Sequence, residues 1–375
     1  MERETMVNGI RREAFACEKY VSGKSMDQVM ADYGLTSVVK LGSNENMYGP
    51  YPHAVEAMRN QLDMVNIYPE RDYLLLKELL ARKFNVPGPD WVSLGHGAGN
   101  VLDAVAKTLL EAGDEVIVPQ QSYRLYPEIS KIMGAKVIEV PLDDDYTISL
   151  DAFADAMNER TKIVWLCNPN NPTGTVVSKA DFDRFVDRLP ENCWLVVDEA
   201  YAEFADEDAL PDVVDYVRRG KQVIDIRTFS KYYGLAGQRI GYLIADPEFV
   251  NWYDTVSEPF NSNRLGLAAA VALLEKDADE CERCKGMIVN DREHMNDVLS
   301  TMGCKPVRSN ANFVFFEMPY EASEVAERLL RRGVIVRPCG GWGYPRHMRV
   351  SIGTTEQNEE FLAQIKAVFD ELSAE

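Results

Sequence analysis

Thr228-Phe229-Ser230-Lys231-Tyr232-Tyr233-Gly234-Leu235-Ala236-Gly237-Gln238-Arg239-Ile240-Gly241-Tyr242 is the stretch on which the reading of this chain turns. The apolar run Val223 to Ile226 ahead of it predicts a buried strand. Lys231 then follows that strand almost at once, among hydroxyl, aromatic and glycine residues. Burial disfavours an ammonium and lowers its pKa. A Schiff-base lysine needs that shift, because only the neutral amine attacks a carbonyl. Thr228, Ser230 and Arg239 are suited to an anion, the arginine by a forked charge-assisted contact. Read as residues alone, the stretch also fits a strand, a turn and a lysine at the rim of a sheet.

Working outward, two more apolar runs end in polar turns. Lys162 to Leu166 predicts a buried strand that runs into Asn168-Pro169-Asn170-Asn171-Pro172-Thr173-Gly174. Trp194 to Val197 predicts another, with Asp198 at its carboxyl end, where open α/β sheets bind ligands. Val92 to Leu94, then Gly95-His96-Gly97-Ala98-Gly99-Asn100, then a helical run Val101 to Leu110 form a strand, glycine-rich turn and helix. That order presents backbone N–H groups to a phosphate, although any tight strand-to-helix turn looks the same. Strands also fit Val116 to Val118, Lys136 to Val140 and Tyr242 to Ala245. Their alternation with helices predicts an α/β chain with a mostly parallel sheet covered on both faces. Beyond a long charged helix from about Asp279 to Met302, strands at Phe313 to Glu317, Val334 to Val336 and Arg349 to Ile352 alternate with helices at Ala322 to Arg332 and Glu356 to Phe369. They predict a smaller α+β domain. The expected division is a segment 1–45 that joins the small domain, a large domain 46–275 and a small domain 276–375.

The 375 residues are enough for a large core, with one large and one small domain as the natural division. A net charge of -20 argues against nucleic acid or an anionic membrane as partner, while leaving room for an anionic small molecule in a locally cationic pocket. The first residues, Met1-Glu2-Arg3-Glu4-Thr5, carry no apolar signal core. No apolar run reaches the roughly 18 residues of a membrane span. Seven scattered cysteines point to a reducing compartment, so a cytoplasmic protein is expected. Cys281-Glu282-Arg283-Cys284 is a lone pair in a charged helical stretch and is weak evidence for zinc. Four histidines, none in HExxH spacing, predict no metal centre.

Ser-Lys followed by Gly-Leu-Ala-Gly-x-Arg-x-Gly resembles the lysine motif of fold-type I pyridoxal-phosphate aminotransferases. Asn168 to Gly174, Val196-Val197-Asp198-Glu199-Ala200-Tyr201 and Met348-Arg349-Val350-Ser351-Ile352-Gly353 match the same superfamily in the same order. Within it, Lys40-Leu41-Gly42-Ser43-Asn44-Glu45-Asn46, Tyr68-Pro69 and Val336-Arg337-Pro338 look most like histidinol-phosphate aminotransferase. The resemblance runs from about Tyr20 to the C-terminus. It implies pyridoxal 5'-phosphate as cofactor and Lys231 as the lysine that bonds it and moves protons. It implies Asp198 against the ring nitrogen, Asn171 and Tyr201 on the phenolic oxygen and Tyr123 stacked on the ring. Gly97, Ala98, Gly99, Thr228, Ser230 and Arg239 would hold the phosphate. The family commonly has Asp-Glu where this chain has Gly99-Asn100, which questions side-chain contacts from that loop. Tyr68 matches a tyrosine contributed to the neighbouring subunit's cofactor phosphate, so a homodimer with shared active sites is expected. Tyr20, Asn46, Arg337 and Arg349 would meet the substrates, an amino donor and a 2-oxo acid, although Arg337 could instead pair with one of the chain's many acids.

The expected activity is therefore transamination between L-histidinol phosphate and 2-oxoglutarate in histidine biosynthesis. An aromatic aminotransferase and a threonine-phosphate decarboxylase share much of this framework. A catalytically silent pyridoxal-phosphate-binding regulator is a different class. It is disfavoured by the presence of every catalytic position and the lack of an appended DNA-binding segment.

Overall fold

A computed structural model describes residues 9–19, 23–70, 73–206 and 208–375. Strand β1 (Val39–Lys40) stands apart from those that follow it. Seven strands then build one sheet. They are β2 (Val92–His96), β3 (Glu115–Pro119), β4 (Lys136–Val140), β5 (Thr161–Cys167), β6 (Trp194–Asp198), β7 (Val223–Thr228) and β8 (Ile240–Ile244). Their order is β2-β8-β7-β6-β5-β3-β4. β8 is antiparallel to both neighbours and every other pair is parallel.

The parallel strands are apolar on both sides, as helices on both faces require. Along β5, Ile163, Trp165 and Cys167 face one cluster, which they share with Val101, Val105, Tyr126 and Phe249. Val164 and Leu166 face the other, with Phe153, Phe182 and Val217. The period of two that sorts these side chains is the pleat itself.

Four strands of the second half form an antiparallel sheet, β9 (Lys305–Val307), β10 (Phe313–Glu317), β12 (Arg337–Pro338) and β13 (His347–Ser351), in the order β12-β13-β10-β9. Between them, β11 (Val334–Ile335) pairs in parallel with β1 and carries the chain's early segment onto these later elements. Trp342, in the turn after β12, donates its indole N–H to Ser122 O at 2.7 Å and so ties this sheet to the first.

Three expectations change in detail. The strand expected at Tyr242 to Ala245 is Ile240–Ile244, and it runs against its neighbours. A helix at Pro247–Val256 was not expected, yet Asp246 caps it by accepting from Glu248 N and Pro247 opens it, a start signal that the sequence carries. The last helix runs Thr355–Ala374 from a capping box of Thr354 and Gln357, longer than Glu356 to Phe369. Cys281 and Cys284 are both buried on the helix Ala278–Thr301. No helix among the described residues is long and apolar enough to cross a membrane.

Candidate active site

Because β2, β3, β5, β6 and β7 run the same way, their carboxyl ends open on one side of the large sheet. That edge gathers most of the expected residues. Beyond β7, Lys231 is partly buried and its Nζ donates to Ser43 O at 3.0 Å. Burial, and then the nearby Arg349 guanidinium, lower its pKa to about 8. The ammonium also lies over the Tyr201 ring, 5.8 Å from its centroid.

Asp198 ends β6 and is buried. Its Oδ2 accepts from Tyr126 Oη at 2.7 Å and its Oδ1 from Ala200 N at 3.1 Å. Burial raises its pKa to about 6 against the pull of these two donors. Tyr126 is a site residue that the sequence reading missed. It is fully buried on the helix Leu125–Ile132 and stacks on Trp165 with centroids 5.7 Å apart. Tyr123, at the mouth, meets the Tyr126 ring edge-on at 5.6 Å.

At one end of the cleft lies an anion cradle. Gly97, with a φ of 76°, caps the helix Ala98–Leu109 without any side-chain cap, so the first N–H groups stay available. A Cβ on Gly97 would come within 2.4 Å of Arg239 Nη2, so only glycine lets the loop approach the arginine. Arg239 Nη1 donates to Ala236 O at 3.0 Å and lies 3.5 Å from Ser230 Oγ. Thr228 Oγ1 donates to Ser230 Oγ at 2.9 Å and accepts from Ser230 N at 3.0 Å. Gly99 lies against Leu125, and Asn100 accepts from His96 N at 3.1 Å, so the pair in the unusual loop positions serves the turn.

The other end is cationic and aromatic. Arg337 and Arg349 are direct partners across β12 and β13. Like charges in such a register repel. Both guanidiniums lie near the Trp342 ring, at 5.5 and 5.9 Å from its centroid, and Arg349 also near Phe313. Arg349 is buried and donates to Asn171 Oδ1 at 2.6 Å and to Gly42 O at 2.7 Å. Among the described residues no ion pair involves Arg337, so the alternative of a carboxylate partner is not what is seen. Trp342 was missed because only the fold carries it to this spot.

Two expected residues, Asn46 and Tyr68, make their contacts elsewhere, and a third falls outside what the structure describes. Asn46 turns its amide inward, donating to Tyr51 Oη and Tyr232 O and accepting from Tyr48 N, which fixes its own loop. Its neighbour Asn44 reaches the site instead, donating to Tyr201 Oη at 3.0 Å. Tyr68 is exposed and stacks on Phe260 at 4.6 Å. Tyr20 lies outside the described residues.

In chemical terms, the cleft can hold an anion at the cradle, a carbonyl at Lys231, a cation at Asp198 and a second anion at Arg337 and Arg349. Comparison with known proteins agrees with that layout. The family Aminotransferase class I and II matches residues 36–365. A histidinol-phosphate aminotransferase of Symbiobacterium thermophilum is 40% identical over 97% of this chain and 100% of its own. One of Moorella thermoacetica is 38% identical over 96% of this chain and 92% of its own. Among solved structures, a histidinol-phosphate aminotransferase from Sinorhizobium meliloti in complex with pyridoxal-5'-phosphate superposes with a TM-score of 0.88 at 28% identity, covering 98% of this chain and 99% of that one. The chain belongs to the class I and II aminotransferases, fold type I, and among them to the histidinol-phosphate aminotransferase family.

Proposed function

We propose that this chain transfers the amino group of L-histidinol phosphate to 2-oxoglutarate with pyridoxal 5'-phosphate as cofactor. The observation that carries the substrate class is the Arg337–Arg349 pair beside Trp342. Two guanidiniums on directly paired residues can grip one anion together, and the site must take a phosphate and a dicarboxylate in turn. An indole face beside them suits the imidazole that a phosphate-bearing donor brings.

The residues fit the cofactor. The uncapped helix start, Gly97, Ala98, Thr228, Ser230 and Arg239 would hold its phosphate. Asn171 and Tyr201 are placed to donate to its phenolic oxygen, and Tyr201 has no protein acceptor for its own proton among the described residues. Among the described residues Asp198 meets only neutral donors, so its charge is available to a protonated ring nitrogen. When bound, pyridoxal 5'-phosphate supplies an aldehyde that takes up the amino group and a conjugated ring that accepts the electron pair left on the amine-bearing carbon.

The chain's own groups do the rest. Lys231 Nζ, neutral more readily than an ordinary lysine, would take the proton from the amine-bearing carbon and return one to the carbon of the cofactor's aldehyde group. Asp198 keeps a proton on the ring nitrogen by charge and hydrogen bond. Tyr123 covers the ring face and limits water. Arg349 stays bonded to Asn171 while it holds the substrate's acidic end, so substrate and phenolic-oxygen donor are read by one guanidinium.

The same reading includes a homodimer. Leu62, Met64, Val65, Ile67, Tyr68 and Phe260 are large and exposed together, which supports a second copy against this face and Tyr68 reaching the neighbour's phosphate cradle. It also includes a cytoplasmic location and the division into 1–45, 46–275 and 276–375, which the β1–β11 pairing supports.

A single-turnover assay tests the activity. The loaded protein is mixed in turn with L-histidinol phosphate, L-phenylalanine and threonine phosphate, and product is followed. Fast amino transfer from histidinol phosphate alone is expected. Arg337→Ala should then raise KM for that donor by about 10- to 100-fold, the worth of one or two charged hydrogen bonds. Preference for phenylalanine, or carbon dioxide from threonine phosphate, would replace the proposal.

A further inference from the structure

Tyr201 is aimed by Asn44, a residue of the loop after β1 that the small sheet holds in place. Asn44 is buried at a φ of 55°, and its Nδ2 donates to Tyr201 Oη at 3.0 Å. Its backbone N–H donates to Ser351 Oγ at 2.7 Å, and Ser351 Oγ donates back to Asn44 Oδ1 at 3.0 Å. Asn312 Nδ2 holds Asn44 O at 3.1 Å. These bonds fix which way the Asn44 amide faces. Turned over, it would present Nδ2 to Ser351 Oγ, and the hydroxyl proton of a serine only 2% exposed would lose its acceptor. A buried donor left unmade costs more than an ordinary hydrogen bond contributes. Asn44 therefore donates, and Tyr201 receives at its oxygen while keeping its own proton for another acceptor.

Arg349 does the same for the second donor. It and Ser351 share one face of β13. A guanidinium only donates, so Asn171 must turn Oδ1 toward it and Nδ2 away. One strand of the small sheet thus sets the polarity of both groups.

We infer that Asn44, locked by Ser351, is a positioning residue that turns the Tyr201 hydroxyl proton toward the phenolic oxygen of the cofactor. The inference rests on the reading that the chain binds pyridoxal 5'-phosphate.

The test is the pH midpoint of the visible absorption band of the cofactor in the holoenzyme. Asn44→Asp keeps the shape of the side chain and offers Tyr201 only an acceptor, so the hydroxyl turns to it and the phenolic oxygen loses a donor. The midpoint should rise by about one pH unit or more. Ser351→Ala, which frees the amide to turn over, should raise it by less, and Ser351→Thr, which keeps the hydroxyl, should restore it. In a Tyr201→Phe background, Asn44→Asp should add nothing, because both changes remove the same proton. An unmoved midpoint in folded Asn44→Asp, or a full extra shift in the Tyr201→Phe background, overturns the inference. If circular dichroism shows Asn44→Asp unfolded, Ser351→Ala decides in its place, and an unmoved midpoint there overturns it. A wild-type protein that develops no visible band with pyridoxal 5'-phosphate fails the cofactor reading instead, which separates the two failures.

Discussion

Asp198 and Glu199 are consecutive, both buried at the end of β6, and their carboxyl groups are answered in opposite ways. Asp198 meets a phenol and a backbone N–H, and among the described residues no cation bonds it. Glu199 turns to the other side and joins Asp225 and Glu203 around Arg227. That guanidinium is 2.8 Å from Asp225 and 3.5 Å from Glu203, bonds Glu199, and lies 4.7 Å from the Phe84 ring centroid. Three acids around one arginine are short of positive charge, and burial pushes Glu199 and Glu203 up against the pull of Arg227. The cluster is closed within the protein and braces β6, β7 and the turn at Ala202–Phe204. Asp198 is left facing the cleft, with no bonded cation among the described residues. A structural carboxylate has its cation built in; a functional one is held ready for a cation that arrives.

If that contrast is right, changes on the two sides of β6 should separate activity from stability. The largest expected effect is on the cleft side. Lys231→Ala should lower turnover by about a thousandfold or more, the scale of a lost general base, while the thermal unfolding midpoint is retained or rises. Turnover close to wild type would mean that Lys231 is not the group that moves the proton. On the closed side, Arg227→Met should cost about 3–5 kcal/mol of unfolding free energy in urea titrations, because it leaves buried carboxylates without their cation. A loss well under 1 kcal/mol would mean that the cluster stays neutral without Arg227, and the contrast would fail.

Asp198→Asn sharpens it further. A carboxyl held at about 6 in the folded chain, against about 3.9 when unfolded, keeps its proton longer in the folded state. Its contribution to stability is present below about pH 4 and is lost as pH rises through about 6. Cofactor-free wild type should therefore lose stability across that window. Asp198→Asn should flatten the loss and be more stable at pH 7 by about 2–3 kcal/mol, while amino transfer falls. Unfolding titrations of the cofactor-free proteins at pH 4, 5, 6 and 7 read this directly. Equal pH profiles would show that Asp198 titrates normally.

How much of this is readable without coordinates depends on chain distance. Lys231, Asp198 and Asn171 declare themselves because each follows a buried apolar strand, and the rule that strand ends build sites needs no long-range information. The sheet is legible for the same reason, since strands buried on both faces read as continuous apolar runs. The direction of β8 is not legible, because an antiparallel strand at that place has the same composition as a parallel one. Asn44 and Ser351 lie in stretches that the family resemblance picks out and Trp342 does not, but the contacts of none of the three are legible in the sequence. Their partners Tyr201, Ser122 and Asn44 lie 157, 220 and 307 positions away, and no local pattern encodes such contacts. The sequence favours Asn46 over Asn44 although the two are neighbours in one loop. The left-handed backbone at Asn44 decides which of them faces inward to the site, and asparagine is one of the few residues that adopt it readily.

Tyr126 tests the smallest part of the contrast, and it is the residue through which Asp198 is reached from the core. Its ring stacks on Trp165 and its backbone carbonyl accepts from Ser130 Oγ at 2.8 Å, so ring and helix are held whether or not the hydroxyl is present. Trp165 in turn donates to Ser130 Oγ at 3.1 Å, closing the support. Tyr126→Phe should then leave the packing in place and cost only about 0.5–1.5 kcal/mol. What changes is the balance at Asp198. Burial already raises its pKa, and one of its two opposing donors is gone, so the carboxyl must move further up. The upper edge of the pH window in which the cofactor-free protein loses stability should rise by about one unit, the lower edge near pH 4 staying with the unfolded chain, and the window should be absent from a Tyr126→Phe, Asp198→Asn double variant. An upper edge that stays where it is would place the control of Asp198 in the Ala200 N–H alone. A shift that survives in the double variant would move it to a different titrating group, and the two sides of β6 would no longer be distinct.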